Sequence, residues 1–283
     1  MKELQGSVIK SVGTVRDYES SLRVAAQWAK DNHITGGLRG MSVADCTRFL
    51  QERGKEVGQK TVDQNRQALQ CMLQHVTGKL APDGRLPMAE GRPQDLGPRA
   101  YTPEQVRLIA EAQTPRNGLA TEIAYAAGLR ASELITLQPL APSSKQQLSD
   151  RPASPDKFSG RSEGVPYSVH GKGGLIREVR IPQELAAKLE AYRLPEPKTV
   201  SDRGVFRETH YAIGGGNAWS ASFSRTSEKL FGWSTGAHGL RHSYAQERMQ
   251  ELTSRGFSAD DARQVVSQEL GHFRPDITYA YLR

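Results

Sequence analysis

Cysteine is nearly absent from this chain: two residues in 283, Cys46 and Cys71. Two thiols cannot build a disulfide framework, so a reduced setting is expected, with both residues buried in helices. Aromatic residues make up only 7% of the chain. No apolar run approaches the roughly 20 residues of a membrane-spanning helix. The opening M-K-E-L-Q-G-S-V-I-K lacks the apolar core of a secretion signal. A cytoplasmic protein with no membrane partner is the expectation. Neither sign of charge dominates: 38 Lys and Arg stand against 31 Asp and Glu, a net charge of +7. Up to Arg99 the count is 15 basic to 11 acidic, leaving 23 to 20 beyond it. Neither part is a basic tail, so a polyanion-binding surface must come from how the fold sorts charge.

With 37% hydrophobic and 24% charged residues, the length suits two globular domains. Val15, Tyr18, Leu22, Ala25 and Ala29 recur at helical spacing. Ser42-Val-Ala-Asp45 reads as a helix start, and a third helix from near Thr61 carries Val62, Leu69, Met72, Leu73 and Val76 inward until Gly78. These helices make a domain of residues 1–80. The stretch 81–100 is dense in Gly and Pro with interspersed arginines. It reads as an interdomain linker, either a basic strap or a plain solvated one.

The second domain, 101–283, opens at the capping signature Thr102-Pro-Glu-Gln105. Helical patterns fall at 103–112, 118–127, 132–138, 183–193, 221–231, 237–254, 259–270 and 277–283. One strand pair is expected, Tyr167–His170 and Leu175–Ile181, around the turn G-K-G-G. Residues 141–165, rich in Ser, Pro, Asp and Lys, read as a surface insertion or mobile loop. The fold class is mainly α with a small β-hairpin.

Five short segments carry chemistry. Arg130 in A-G-L-R-A-S-E-L follows an expected helix end, where it can point into a cleft or pair with Glu133 on the surface. Lys172 in H-G-K-G-G sits at the hairpin tip, where an ammonium can protonate a leaving oxygen or stay an ordinary turn lysine. The spacing does not fit a nucleotide-binding P-loop. His238 and Arg241 in H-G-L-R-H share one helix face. His238 and His242 have metal-ligand spacing, but no Cys or carboxylate cluster accompanies them, so no metal and no cofactor is expected. His272 follows Gly271 in L-G-H, and Tyr281 lies nine residues on. Two arginines can grip a phosphate, and cations nearby can activate a tyrosine nucleophile.

In this order the set resembles the tyrosine recombinases, the integrase family that cuts and rejoins DNA at specific sites, over roughly Tyr101 to Arg283. The resemblance implies a helical DNA-binding domain ahead of an α+β catalytic domain. It assigns Arg130, Lys172, His238, Arg241, His272 and Tyr281 as catalytic, with Tyr281 rather than Tyr279 as nucleophile. It further implies double-stranded recombination sites, a homotetramer on two of them, a Holliday-junction intermediate and accessory DNA-bending or directionality factors. A bacterial, nucleoid- or plasmid-associated setting in a mobile element fits. Lys60, Gln64, Arg66, Gln67 and Arg99 are the candidate DNA contacts. Leu175 stands where many members carry a further basic residue. A type IB topoisomerase, a regulator with an unused site, and a metal nuclease or peptidase are the alternatives.

Overall fold

The structure is a computed structural model that describes residues 2–94, 96–140 and 153–282. The chain divides into two compact units, Met1–Leu96 and Gly97–Arg283. The first is helical: α1 (Val12–Asp31), α2 (Gly37–Gly40), α3 (Val43–Gly54) and α4 (Gln59–Met72). Helix α3 starts where Ser42 and Asp45 satisfy each other's backbone N–H groups, as the sequence predicts. Leu22, Ala25, Ala29, Phe49, Leu50, Val62 and Leu69 form its core with Cys46. Cys71 joins a smaller cluster with Ile9 and Val15.

The segment read as a linker is held on this unit through its first half. Leu86 and Ala89 enter the helical core. Gln74 Nε2 donates to the carbonyls of Ala81, Pro82 and Gly84. Side-chain amides thus satisfy an irregular backbone that has no periodic signal of its own.

The second unit runs α5 (Pro103–Ala112), α6 (Pro115–Ala127), α7 (Ala131–Ile135), β1 (Gln138–Pro139), β2 (Val165–His170), β3 (Ile176–Ile181) and α8 (Gln183–Glu190). Then come β4 (Arg193–Asp202), β5 (Val205–Tyr211), α9 (Gly216–Phe231), α10 (Gly239–Ser254), α11 (Ala259–Glu269) and α12 (Pro275–Thr278). A single 3₁₀ turn, Tyr279–Tyr281, follows. Strands β1, β2 and β3 form one antiparallel sheet in that order. Val169 lies opposite Arg177 and Tyr167 opposite Val179. Val179 and Ile181 face a core built with Ile109, Ile123, Leu134, Trp219, Phe223 and Leu240. Tyr244, Leu252, Val265, Val266, Leu270 and Tyr281 make a second core among α10, α11 and the final turn.

Three expectations are corrected. Beyond the expected pair, β1 adds a third strand where the helical pattern at 132–138 was expected to continue, and the β4–β5 ribbon is a separate second sheet. Its sequence, R-L-P-E-P-K-T-V-S-D, hides it, because β4 is exposed along most of its length and needs no apolar alternation. Part of the expected mobile insertion over 141–165 is pinned. Phe158 is buried and gives its N–H to Glu269 Oε1 at 3.0 Å. Arg161 Nε reaches Glu251 at 2.9 Å, and Ser154 N reaches Gln268 Oε1 at 2.6 Å. Residues 141–152 lie outside the described residues. No helix among the described residues is long and apolar enough to cross a membrane.

Gly128 ends α6 with φ of 59°. A Cβ there would lie 2.8 Å from Tyr244 Cδ1 and 3.0 Å from Leu270 Cδ2. Gly128→Ala therefore combines a strained backbone with a clash, and the carboxy-terminal unit is expected to lose about 1–3 kcal/mol in urea unfolding. An unchanged midpoint would contradict this packing.

Candidate functional site

The site is built on the ends of helices. Arg130 directly follows the Gly128–Leu129 turn and is the residue immediately before α7. Glu133 caps α7 from within, accepting the Arg130 backbone N–H at 2.8 Å. Its carboxylate has no solvent exposure. It accepts Arg130 Nη1 at 2.8 Å and, through its other oxygen, Arg177 Nη2 at 2.8 Å. Arg241 Nη1 lies 3.7 Å from the same carboxylate. The sequence alternatives for Arg130 merge: it does pair with Glu133, but at a buried carboxylate rather than on the surface.

Arg241, on the first turn of α10, is fully buried. It donates to the Gly128 carbonyl at the end of α6 and, at 2.9 Å, to the Leu270 carbonyl at the end of α11. Helix carboxyl ends carry partial negative charge, which favours a cation there. Gly271, with φ of 71°, turns the chain out of α11 and presents His272. His272 Nε2 lies 2.9 Å from Arg130 Nη2, 3.2 Å from Arg241 Nη2 and 3.3 Å from the Tyr281 hydroxyl. Guanidinium groups only donate, so Nε2 must be an unprotonated acceptor and the ring proton sits on Nδ1.

Tyr281 is 7% exposed and packs among rings. Its centroid is 4.8 Å from His242, 5.1 Å from His272 and 5.5 Å from His238, and Arg241 Cζ lies 5.7 Å over its face. Tyr279 is 59% exposed and hydrogen-bonded by Arg263, away from these groups. Five of the six residues singled out from sequence, Arg130, His238, Arg241, His272 and Tyr281, thus converge. The sixth, Lys172, opens the turn between β2 and β3; its side chain lies outside the described residues.

The candidate DNA contacts are less uniform. Lys60 and Gln67 are exposed on α4, with Gln64 half-buried on the same face and within 3.5 Å of the Asp17 carbonyl. Arg66 points to a different side of the helix, and its Nε is shielded. Arg99 belongs to the other unit, where it donates to the Thr235 carbonyl at 2.9 Å beside the turn that carries His238. Among the described residues no group of three or more His, Cys, Asp or Glu is placed to hold a metal.

Sequence reasoning missed Arg177. Its signal was present: in the alternation from Ile176 to Ile181, Arg177 shares the inward face with Val179 and Ile181. An arginine on a core-facing strand position demands a buried partner.

Three guanidinium charges against one carboxylate leave an excess of two positive charges. Burial alone would raise Glu133, but Arg177, Arg241 and Arg130 outweigh it and hold the carboxyl at about 2. Burial, then Arg241 and Arg130, depress His272 to about 3. Burial, then Arg241 and His242, do the same to His238, also to about 3. Burial and Arg130 lower Arg241 to about 10. At neutral pH the site therefore holds fixed arginine charge and uncharged imidazoles, an arrangement that favours binding an oxyanion.

Comparison with known proteins agrees with this architecture. No protein-family model and no curated protein matches the chain. Solved structures do. A lambda integrase dimer bound to a COC′ core site is 15% identical, with a TM-score of 0.59, over 100% of this chain and 75% of that one. A lambda integrase tetramer bound to a Holliday junction is 14% identical, with a TM-score of 0.59, over 99% and 74%. The XerH site-specific recombinase bound to difH substrate, a pre-cleavage complex, is 15% identical, with a TM-score of 0.54, over 91% and 72%. The chain has the mainly helical fold, with small antiparallel sheets, of the tyrosine recombinases represented by these structures.

The depressed groups set an acid sensitivity. Below pH 6.5 the unfolded histidines take up protons that the folded ones refuse until about pH 3, so stability falls across that window. Glu133 adds a loss between its ordinary 4.5 and about 2, since only the unfolded carboxyl is protonated there. Urea midpoints of the carboxy-terminal unit are expected to drop steadily from pH 7 to pH 4, and His272→Gln to flatten that slope. A pH-independent wild-type midpoint would refute the electrostatic description.

Proposed function

We propose that this chain is a site-specific DNA recombinase of the tyrosine class. The observation that carries this reading is the buried Tyr281 hydroxyl, held 3.3 Å from a neutral imidazole that two arginines also grip. A phosphodiester brought to this cage would place its non-bridging oxygens against Arg130 and Arg241, and against His272 once its Nε2 carries a proton. The Tyr281 oxygen attacks phosphorus and gives up its proton to His238 or His272, whose basicity rises once the bound phosphate's negative charge offsets the arginines. The bond from phosphorus to the 5′-oxygen breaks. The DNA 3′ end is left as a phosphotyrosyl ester, and Lys172 protonates the departing 5′-oxygen. Lys172 holds this role by resemblance and by its place at the hairpin turn. The ester conserves the bond's free energy, so a new 5′-hydroxyl can reverse the step without ATP or metal.

The remaining assignments belong to the same proposal. The helical unit is the DNA-binding domain, with Lys60, Gln64 and Gln67 of α4 toward base edges and phosphates. Residues 101–283 are the catalytic domain. Four copies act on two double-stranded sites through a Holliday junction, with accessory DNA-bending or directionality factors where the element requires them. A mobile element in a bacterial cytoplasm is the setting.

Protein recovered from host cells in denaturing detergent is expected to carry a discrete DNA sequence. Tyr281→Phe should lose the adduct and Tyr279→Phe keep it, and a chelator should leave wild-type trapping unchanged. Arg130→Ala or Arg241→Ala should slow adduct formation about 10²–10³-fold, the usual effect of removing one oxyanion donor. Detectable DNA binding with no adduct in any variant would favour a regulator instead. Supercoil relaxation with no preferred site would favour a type IB topoisomerase.

A further inference from the structure

We infer that Arg177 is a positioning residue for the proposed strand transfer, setting the spacing between Arg130 and His272. The inference rests on the reading of this site as a strand-transfer centre. Arg177 lies on β3, five residues beyond Lys172, on the strand face that points into the core. Its nitrogens are divided between the two halves of the cage. Nη2 donates to Glu133 Oε2 at 2.8 Å and Nε lies 3.4 Å from Oε1, fixing the carboxylate that holds Arg130. Nη1 donates to the Glu269 carbonyl, at the last turn of α11. The Arg177 Cδ also lies 2.8 Å from where a Cβ on Gly271 would be. Gly271 is the residue that delivers His272.

All three nitrogens face protein groups, and Arg177 is 3% exposed, so it has nothing left to offer a substrate. Its action must pass through Glu133 on one side and the end of α11 on the other. A whole buried ion cluster can often be replaced by apolar residues of similar volume without loss, so stability alone does not account for the charges gathered here. A guanidinium supplies what an apolar residue or an ammonium cannot: a rigid planar fork that spans two acceptors at once. Because β3 also leads back to the Lys172 turn, Arg177 ties the hairpin, α7 and α11 to one reference point.

The test uses full-length protein and a synthetic duplex bearing the sequence that wild type traps covalently. Adduct formation is timed with an ordinary scissile phosphodiester, with a methylphosphonate, and with a 5′-bridging sulfur. The methylphosphonate removes one negative charge and so lessens the need for placed cations. The sulfur leaves without a proton donor. On the phosphodiester, Arg177→Leu is expected to slow adduct formation about 10²-fold with DNA affinity nearly unchanged, as misplacement by about 1 Å does elsewhere. On the methylphosphonate the deficit should shrink to about tenfold or less, since less charge remains to be stabilised. The sulfur substrate should restore Lys172→Ala but not Arg177→Leu. Arg177→Lys should show the same pattern more mildly, and it decides the matter if Arg177→Leu fails to fold.

An equal deficit on all three linkages would mean a merely structural role and overturn the inference. Sulfur rescue of Arg177→Leu, or wild-type rates in both variants, would overturn it too. If wild type forms no Tyr281-dependent adduct, the strand-transfer reading falls and the inference with it. Wild-type trapping with an unaffected Arg177→Leu removes the inference alone.

Discussion

Everything at this site depends on one buried carboxylate. Glu133 is sealed from solvent between three guanidinium groups. Without it, Arg130, Arg177 and Arg241 would repel one another in a region too dry to screen them. With it they can gather, and because one negative charge cannot cancel three, the cluster keeps a positive excess. A buried ion cluster is weak evidence for stability. It is better evidence for a task that needs cations held still in a water-poor place, as the proposed stabilisation of a pentacoordinate phosphorus would.

Backbone ends complete what Glu133 begins. The Gly128 carbonyl closes α6, and the Leu270 carbonyl lies just past α11; both accept from Arg241. The partial negative charge of helix carboxyl ends is thereby spent on one arginine. Gly128 and Gly271, both at positive φ, let those ends turn sharply enough to reach it. Burial, reinforced by the same cations, keeps His272 and His238 uncharged. Neutral rings beside fixed arginines leave one group to bind charge and another to move protons.

Much of this was legible in the sequence, for identifiable reasons. Capping pairs such as Ser42 with Asp45 and Thr102 with Gln105 are local, and both appear as read. That Arg130, His238, Arg241, His272 and Tyr281 belong together was legible through the resemblance their ordered motifs bear to the tyrosine recombinases, and the five do converge. The β4–β5 ribbon was not legible, because an exposed strand rich in proline and charge lacks periodicity. The packing of residues 79–94 on the helical unit was hidden for a related reason, since its backbone partners are side chains such as Gln74. Arg177 was visible only as one member of an alternation. Its meaning appears once Glu133, 44 residues away in sequence, stands opposite it.

The most direct test of the account is to identify the covalent bond itself. Detergent-trapped complexes would be digested with protease and nuclease, and the nucleotide-bearing peptide sequenced by mass spectrometry. The account predicts a single nucleotide joined through its 3′-phosphate to Tyr281. A nucleotide on Tyr279, on a serine or cysteine, or joined through a 5′-phosphate would contradict it.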